Sequence, residues 1–217
     1  MDEKTFVKFQ IIAGELSLDF INTLDNRAVP ERRLELLPTY TDLVEWAMQA
    51  GAISASKRNA LLSVAEQHPR EADIVRQKAA ELRETLYRIV TSTLRNRRPS
   101  QEDLRSFNAS LGEALSHLEL STARGEFRLG WAGEPLRLDS VLWPIVRSAS
   151  NLLSGDDLTR VRECGADTCR WLFVDRSKNH SRRWCDMKVC GNRVKARTFY
   201  RRQSGRSRAR AGTVRNL

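Results

Sequence analysis

Histidine is scarce: the 217 residues hold three (His68, His117 and His180), none beside an evident catalytic partner. No Gly-rich phosphate loop, nucleophile elbow or open metal triad occurs either, so the expectation is a protein that is not an enzyme. No apolar run approaches the roughly 20 residues needed to span a bilayer, which excludes a helical membrane protein. The opening Met1-Asp-Glu-Lys-Thr-Phe lacks the basic-then-apolar order of a secretory signal, so the expectation is a chain that stays in the reducing cytoplasm. There is no internal repeat, and no Pro-, Gly- or Ser-rich linker divides the main part of the chain. A small C-terminal module is therefore expected to pack on the rest instead of swinging freely. Cysteine is missing from the first 163 residues and from the last 27.

The four cysteines present are spaced Cys164-x4-Cys169-x15-Cys185-x4-Cys190. Two close pairs can each sit on a tight turn and offer two thiolates to one ion, while the span between them can form two short strands that bring the pairs together. Four thiolates leave no open position on a tetrahedral ion, so the spacing predicts one structural Zn2+. Two disulfides are the other use of such pairs, and a reducing compartment argues against them. His180, between the pairs, is the alternative fourth ligand.

Charge is distributed unevenly. From Val161 to Leu217 there are 16 Lys and Arg against 4 Asp and Glu, a net of +12, whereas the first 160 residues carry 21 against 23, a net of −2. A zinc held by four thiolates has a formal charge of about −2, so Arg170, Arg182, Arg183, Lys188 and Arg193 have a local use as its neighbours. The remaining excess is the footprint of a phosphate-binding module joined to a neutral domain.

At Cys190-Gly191-Asn192-Arg193 the chain resembles the CGNR zinc-finger family, and Arg170-Trp171-Leu172-Phe173-Val174-Asp175 and Arg183-Trp184-Cys185 belong to the same resemblance. Upstream, Gly14-Glu15-Leu16-Ser17-Leu18-Asp19-Phe20-Ile21-Asn22-Thr23-Leu24 is similar to the opening of the ABATE domain, which precedes this finger in bacterial proteins described as stress-induced transcription regulators. The resemblance implies a bacterial cytoplasmic regulator with a zinc-ribbon-like, nucleic-acid-binding end.

Hydrophobic periodicity predicts a mainly α fold, with a helical N-terminal domain and a β-hairpin over 1–160; the resemblance implies a zinc-ribbon-like finger with a basic helix over 161–203, and the composition of 204–217 predicts a basic disordered tail. Val7, Phe9 and Ile11 alternate as in a strand. Leu16, Phe20 and Leu24 line a helix, and Asp25 to Pro38 is a loop. Thr39 and Asp42 start a helix that Gly51 stops, and a second helix runs from Ser54 to Gln67. The longest carries Val75, Ala79, Leu82, Leu86, Ile89 and Val90 and ends before Pro99. Ser100 caps the next, whose buried face is Leu104, Phe107, Leu111 and Leu115. The period then drops to two, so that Leu118, Leu120, Phe127, Leu129 and Trp131 form the apolar face of a hairpin about Gly125 that must lie on the helices. A helix from Asp139 to Leu153 is bent or delayed by Pro144. A short helical turn through Leu158 and Val161 leads into Cys164, and 192–203 is a basic helix.

The leading expectation is a regulator whose helical domain senses a small molecule or forms a homodimer, and whose finger holds duplex DNA. The candidate contacts are Arg182, Arg183, Lys188, Asn192, Arg193, Lys195, Arg197, Arg201 and Arg202, with Arg193 equally suited to bracing the zinc loop. RNA or single-strand binding on Trp171, Phe173, Trp184, Phe199 and Tyr200 is the alternative, although both tryptophans have a use as core. A protein-interaction zinc module is the third.

Overall fold

A computed structural model describes residues 9–123, 125–132 and 136–201. Helices dominate them: α1 Leu16–Ile21, α2 Tyr40–Gln49, α3 Ala55–Gln67, α4 Pro69–Leu94, α5 Gln101–Leu115, α6 Trp143–Ser154 and α7 over 192–201. The strands make three separate antiparallel pairs, β1 Leu24–Asp25 with β2 Leu34–Glu35, β3 Leu118–Ala123 with β4 Glu126–Trp131, and β5 Val161–Glu163 with β6 Leu172–Val174. The helix boundaries follow local chemistry. Thr39 and Asp42 form the reciprocal capping box of α2, Gly51 takes the left-handed conformation just past its end (φ 73°), and Ser54 and Ser100 cap α3 and α5. Pro69 and Pro144 stand in first turns, where a missing N–H costs nothing, so Pro144 delays α6 without bending it.

The core forms where α1, α2, α3 and α5 pack on the 26-residue α4 and α6 packs on α1 and α5, with Phe20 against Trp46 (5.4 Å between rings) and Leu43, Leu86, Ile89 and Ile145 fully enclosed. Leu172, Phe173 and Val174 of β6 join that same core, so the C-terminal module packs on the helices as expected. Two arginines of buried polar networks fasten the β1–β2 loop to α4. Arg83 pairs with Glu35 and reaches Thr23 at 3.0 Å, while Arg27 forks onto Glu84 (2.7 and 3.0 Å) and stacks on Tyr87.

Several expectations are corrected. Val7 lies outside the described residues, and Phe9 to Ile11 is not a strand; the Gln49 side chain binds the Phe9 backbone instead. Leu24 leaves the helix because α1 closes at Asn22 and Leu24 pairs with Glu35, which also turns part of the expected loop 25–38 into strand. On α5 it is Ala114 that turns inward, leaving Leu115 exposed. Asp139 falls in a 3-10 turn, Leu138–Val141, ahead of α6, and Val161 opens β5 after a second 3-10 turn. The hairpin does not lie on the helices: Leu120, Phe127 and Leu129 are 67%, 75% and 51% exposed, and only its base is covered, where Trp131 approaches Trp143. The tail over 204–217 and the last two residues of the basic helix lie outside the described residues.

Asp19 is a buried carboxylate whose Oδ1 accepts from the N–H groups of Ile12 (2.8 Å) and Ala13 (2.9 Å), closing the chain entry onto α1. Burial outweighs those bonds and pushes it up to about 6. A folded value above the unfolded one means that the fold binds the proton more tightly. The linked stability is complete below about pH 4 and is lost as the pH rises through about 6. Asp19→Asn is expected to erase that slope, so urea unfolding should show the variant gaining about 2 kcal/mol on the wild type between pH 4.5 and 7. Parallel pH profiles would contradict it.

Candidate metal centre and basic helix

The first cysteine pair is placed by β5, the turn after it and β6. Cys164 directly follows β5 and donates its N–H to Trp171 O (2.8 Å), and Cys169 closes a tight turn onto Ala166 O (3.1 Å). Arg170 then takes a left-handed conformation (φ 64°), which reverses the chain into β6. The second pair is placed by Asp186. Its side chain accepts from the N–H groups of Lys188 and Val189, its carbonyl accepts from those of Cys190 (3.0 Å) and Gly191 (3.1 Å), and the result is a π-helical turn over Met187–Gly191. Gly165 N–H to Arg183 O (2.8 Å) and Cys185 N–H to Cys164 Sγ (3.4 Å) bind the two turns together.

These turns bring the four sulfurs within 4.8 Å of one another, with Cys169–Cys185 and Cys185–Cys190 both 3.6 Å apart. A tetrahedral zinc with bonds of about 2.3 Å needs sulfur–sulfur edges of about 3.8 Å, so the spacing fits. All four are buried, and none forms a disulfide. Without a cation the cluster cannot shed its protons evenly: hydrogen bonds from the thiols of Cys169 and Cys185 hold Cys164 low, the bonds to Cys164 push Cys169 and Cys185 up, and burial with the charge on Cys164 pushes Cys190 up. A divalent ion removes that conflict by ligating four thiolates. Cys164, Cys169, Cys185 and Cys190 are the residues that would hold zinc, which would act as a structural clamp. His180 is not part of the cluster; it takes φ 47° with Nδ1 3.3 Å from Asp175 O.

Each residue of the Cys190-Gly191-Asn192-Arg193 stretch has its own place. A Cβ on Gly191 would lie 2.4 Å from Met187 Sδ and 3.4 Å from a Trp184 ring carbon, so glycine lets these side chains close over the turn. Arg193 donates to Cys190 Sγ (3.3 Å), which makes it a brace for the sulfur cluster. Asn192 points to solvent with no partner among the described residues.

The other predicted contacts divide in the same way. Arg182 is structural: it stacks on Phe173 (4.4 Å) and donates to the carbonyls of Trp184 (3.0 Å) and Cys185. Arg197 lies 3.8 Å from Asp167, an exposed pair that water screens. Arg183, Lys188 and Lys195 are exposed, Arg201 closes the described part of α7, and Arg202 lies outside it. Half-buried Val194 and Thr198, four residues apart, form the seated side of α7. Trp171 is buried, as the core use of the tryptophans required, and Trp184 packs partly buried against the core, whereas Phe199 and Tyr200 are exposed.

Asn22 is the residue whose role was not foreseen. Its amide donates to Leu172 O and accepts from Leu172 N–H, both at 2.8 Å, so one side chain completes the free edge of β6. Ala13 O accepts from Val174 N–H (2.8 Å), and Arg176 bridges Glu15 and Asp157 (both 2.9 Å). The helical part thus grips the finger through the Gly14-to-Leu24 segment. Asp175 organises the next loop by accepting from Ser177 and from Arg182 N–H; the Ser177 hydroxyl holds its carboxyl low.

Two family descriptions match the chain. "CGNR zinc finger" covers residues 160–203, and "Putative stress-induced transcription regulator", the ABATE family, covers residues 14–156. Neither is an enzyme family. No curated protein matches in sequence. Among the described residues no helix is long and apolar enough to cross a membrane.

Proposed function

The chain belongs to the ABATE family and carries a CGNR zinc finger, and from that premise we propose that it is a cytoplasmic, stress-responsive bacterial transcription regulator holding duplex DNA through its finger. In this reading residues 1–160 sense an effector or form a homodimer. Residues 161–203 hold one zinc and present α7, and 204–217 add a basic extension. The observation that carries it is the exposed cationic surface on a thiolate-clamped scaffold: Arg183 and Lys188 precede α7 and Lys195, Arg197 and Arg201 lie on it, all exposed, while Val194 and Thr198 are its half-buried residues among those described. A helix mounted in this way has the width of the major groove, and Asn192 is free to meet a base edge. Arg193, bonded to a sulfur, supports the mount.

The test is a salt titration of duplex binding. If about six phosphates are neutralised, log affinity falls against log salt with a slope near −5, and Lys195→Ala or Arg183→Ala lessens it by about one. Arg193→Ala should differ by weakening zinc retention as well. No binding to duplex at low salt, where electrostatics are strongest, would overturn the reading and favour a protein-interaction module. A second reading, single-strand binding, draws on exposed Phe199 and Tyr200, whose rings meet edge-on at 5.8 Å. It requires tighter binding to single-stranded RNA than to duplex and loss of that preference in Phe199→Ala.

A further inference from the structure

Away from the finger, a cleft of about 430 Å3 opens between the start of α3, the base of the β3–β4 hairpin and the turn that leads into α6. That volume is within the usual range for small-molecule sites. Its apolar walls are Ile53, Ala60, Trp131, Leu136 and the ring of Trp143. The Trp143 indole is held in place, stacked on His117 at 4.2 Å and tilted against Trp131 at 5.8 Å.

The polar groups of the cleft are unusual in what they leave unused. Ser140 and Trp143 are only 2% and 3% exposed, yet Ser140 Oγ and Trp143 Nε1 have no hydrogen-bond partner among the described residues. A buried polar group left this way costs about 1–3 kcal/mol, and native folds rarely keep two in one place without a use for them. Lys57, half-buried at the first turn of α3, sets its ammonium 5.4 Å from the centre of the Trp143 ring and has no carboxylate within ion-pair distance among the described residues. The first-turn N–H groups of α3 add a positive dipole end beside it. Arg137 also lines the cleft, but it is occupied by Asp139 (3.0 and 2.8 Å) and Glu113 (3.0 Å). Asp139 and Glu113 are the acids nearby and Arg137 pairs with both, so among the described residues the donors left without a hydrogen-bond or ion-pair partner are the Lys57 ammonium, an indole N–H and a hydroxyl. That set suits an anion. The two tryptophans and the aliphatic wall suit a ring or an apolar body better than a bare phosphate.

We infer that this cleft binds a small carboxylate with an aromatic or alicyclic body, its carboxylate at Lys57 and the start of α3 and its ring against Trp131 and Trp143. The inference deepens the effector half of the reading above and involves no nucleic acid, so its test is run without any and its failure leaves DNA binding untouched. The experiment is calorimetric titration of the full zinc-loaded chain with benzoate, with benzamide as the uncharged isostere and acetate as the headgroup alone. Benzoate is expected to bind at least about ten-fold more tightly than either. Lys57→Met should weaken benzoate at least about ten-fold while leaving benzamide unchanged, and Ser140→Ala should weaken it less. Benzamide binding as tightly as benzoate, unchanged benzoate affinity in Lys57→Met, or no heat with about 10 mM benzoate would each overturn the assignment. Should Lys57→Met fold poorly by thermal melt, the benzoate–benzamide comparison on the wild type decides alone.

Discussion

Cys185→Ser is expected to strip the chain of its metal and unfold the finger, the largest loss that any single substitution should cause. Cys185 Sγ lies 3.6 Å from two of the other sulfurs, and its N–H bonds to the third, so the change removes a ligand from the middle of the cluster. A structural zinc contributes about 10–16 kcal/mol of folding free energy in small fingers. Here the finger has two three-residue strands and little else to hold it, yet its Leu172 and Phe173 are fully enclosed by the helical core. The damage should therefore reach the whole chain, with Tm falling by about 10 °C or more for a protein of this size. Metal analysis should find one zinc per wild-type chain and almost none in the variant. Acidification should release the metal from the wild type, because zinc competes with protons for the thiolates. A variant that keeps stoichiometric zinc, with His180 filling the gap, would contradict the assignment of four cysteines.

Asn22→Ala should be the costliest change outside the metal site. It leaves Leu172 N–H and C=O unpaired in the interior, each at about 1–3 kcal/mol, and so lowers stability by about 2–5 kcal/mol. The loss should appear as one cooperative transition at lower temperature, since the bond joins α1 to a strand 150 residues further on. Zinc content should stay near the wild-type value at low temperature, since no ligand is touched. A shift below about 1 kcal/mol would show that water replaces the amide and that β6 is held by its apolar contacts alone.

What could be read from the sequence was whatever depends on neighbours along the chain. The caps at Thr39 and Ser100 are local hydrogen bonds within three residues, and the metal cluster is two local turns whose spacing names their ligand. What could not be read was set by distant partners. The roles of Asn22 and Thr23 could not be read from their own segment, because Leu172 and Arg83 supply them. The alternation of Leu118, Leu120, Phe127 and Leu129 correctly gave a hairpin, but periodicity states that a face is apolar, not what covers it. Arg193, Arg197 and Arg201 are spaced for one helical face, and only the fold shows that this face turns toward Cys190 and Asp167 while Lys195 and Asn192 look outward. The unspent donors around Lys57 have no pattern along the chain at all.

The central claim is that zinc mounts a basic helix for duplex DNA, and fluorescence anisotropy of one labelled duplex tests it most directly, titrated with zinc-loaded chain and with chain stripped by chelator across a range of salt. The account predicts tight binding by the zinc-loaded chain at low salt, a slope near −5, and loss of that binding on stripping that added zinc restores. Equal affinity with and without the metal, or no binding by the zinc-loaded chain at low salt, would contradict it.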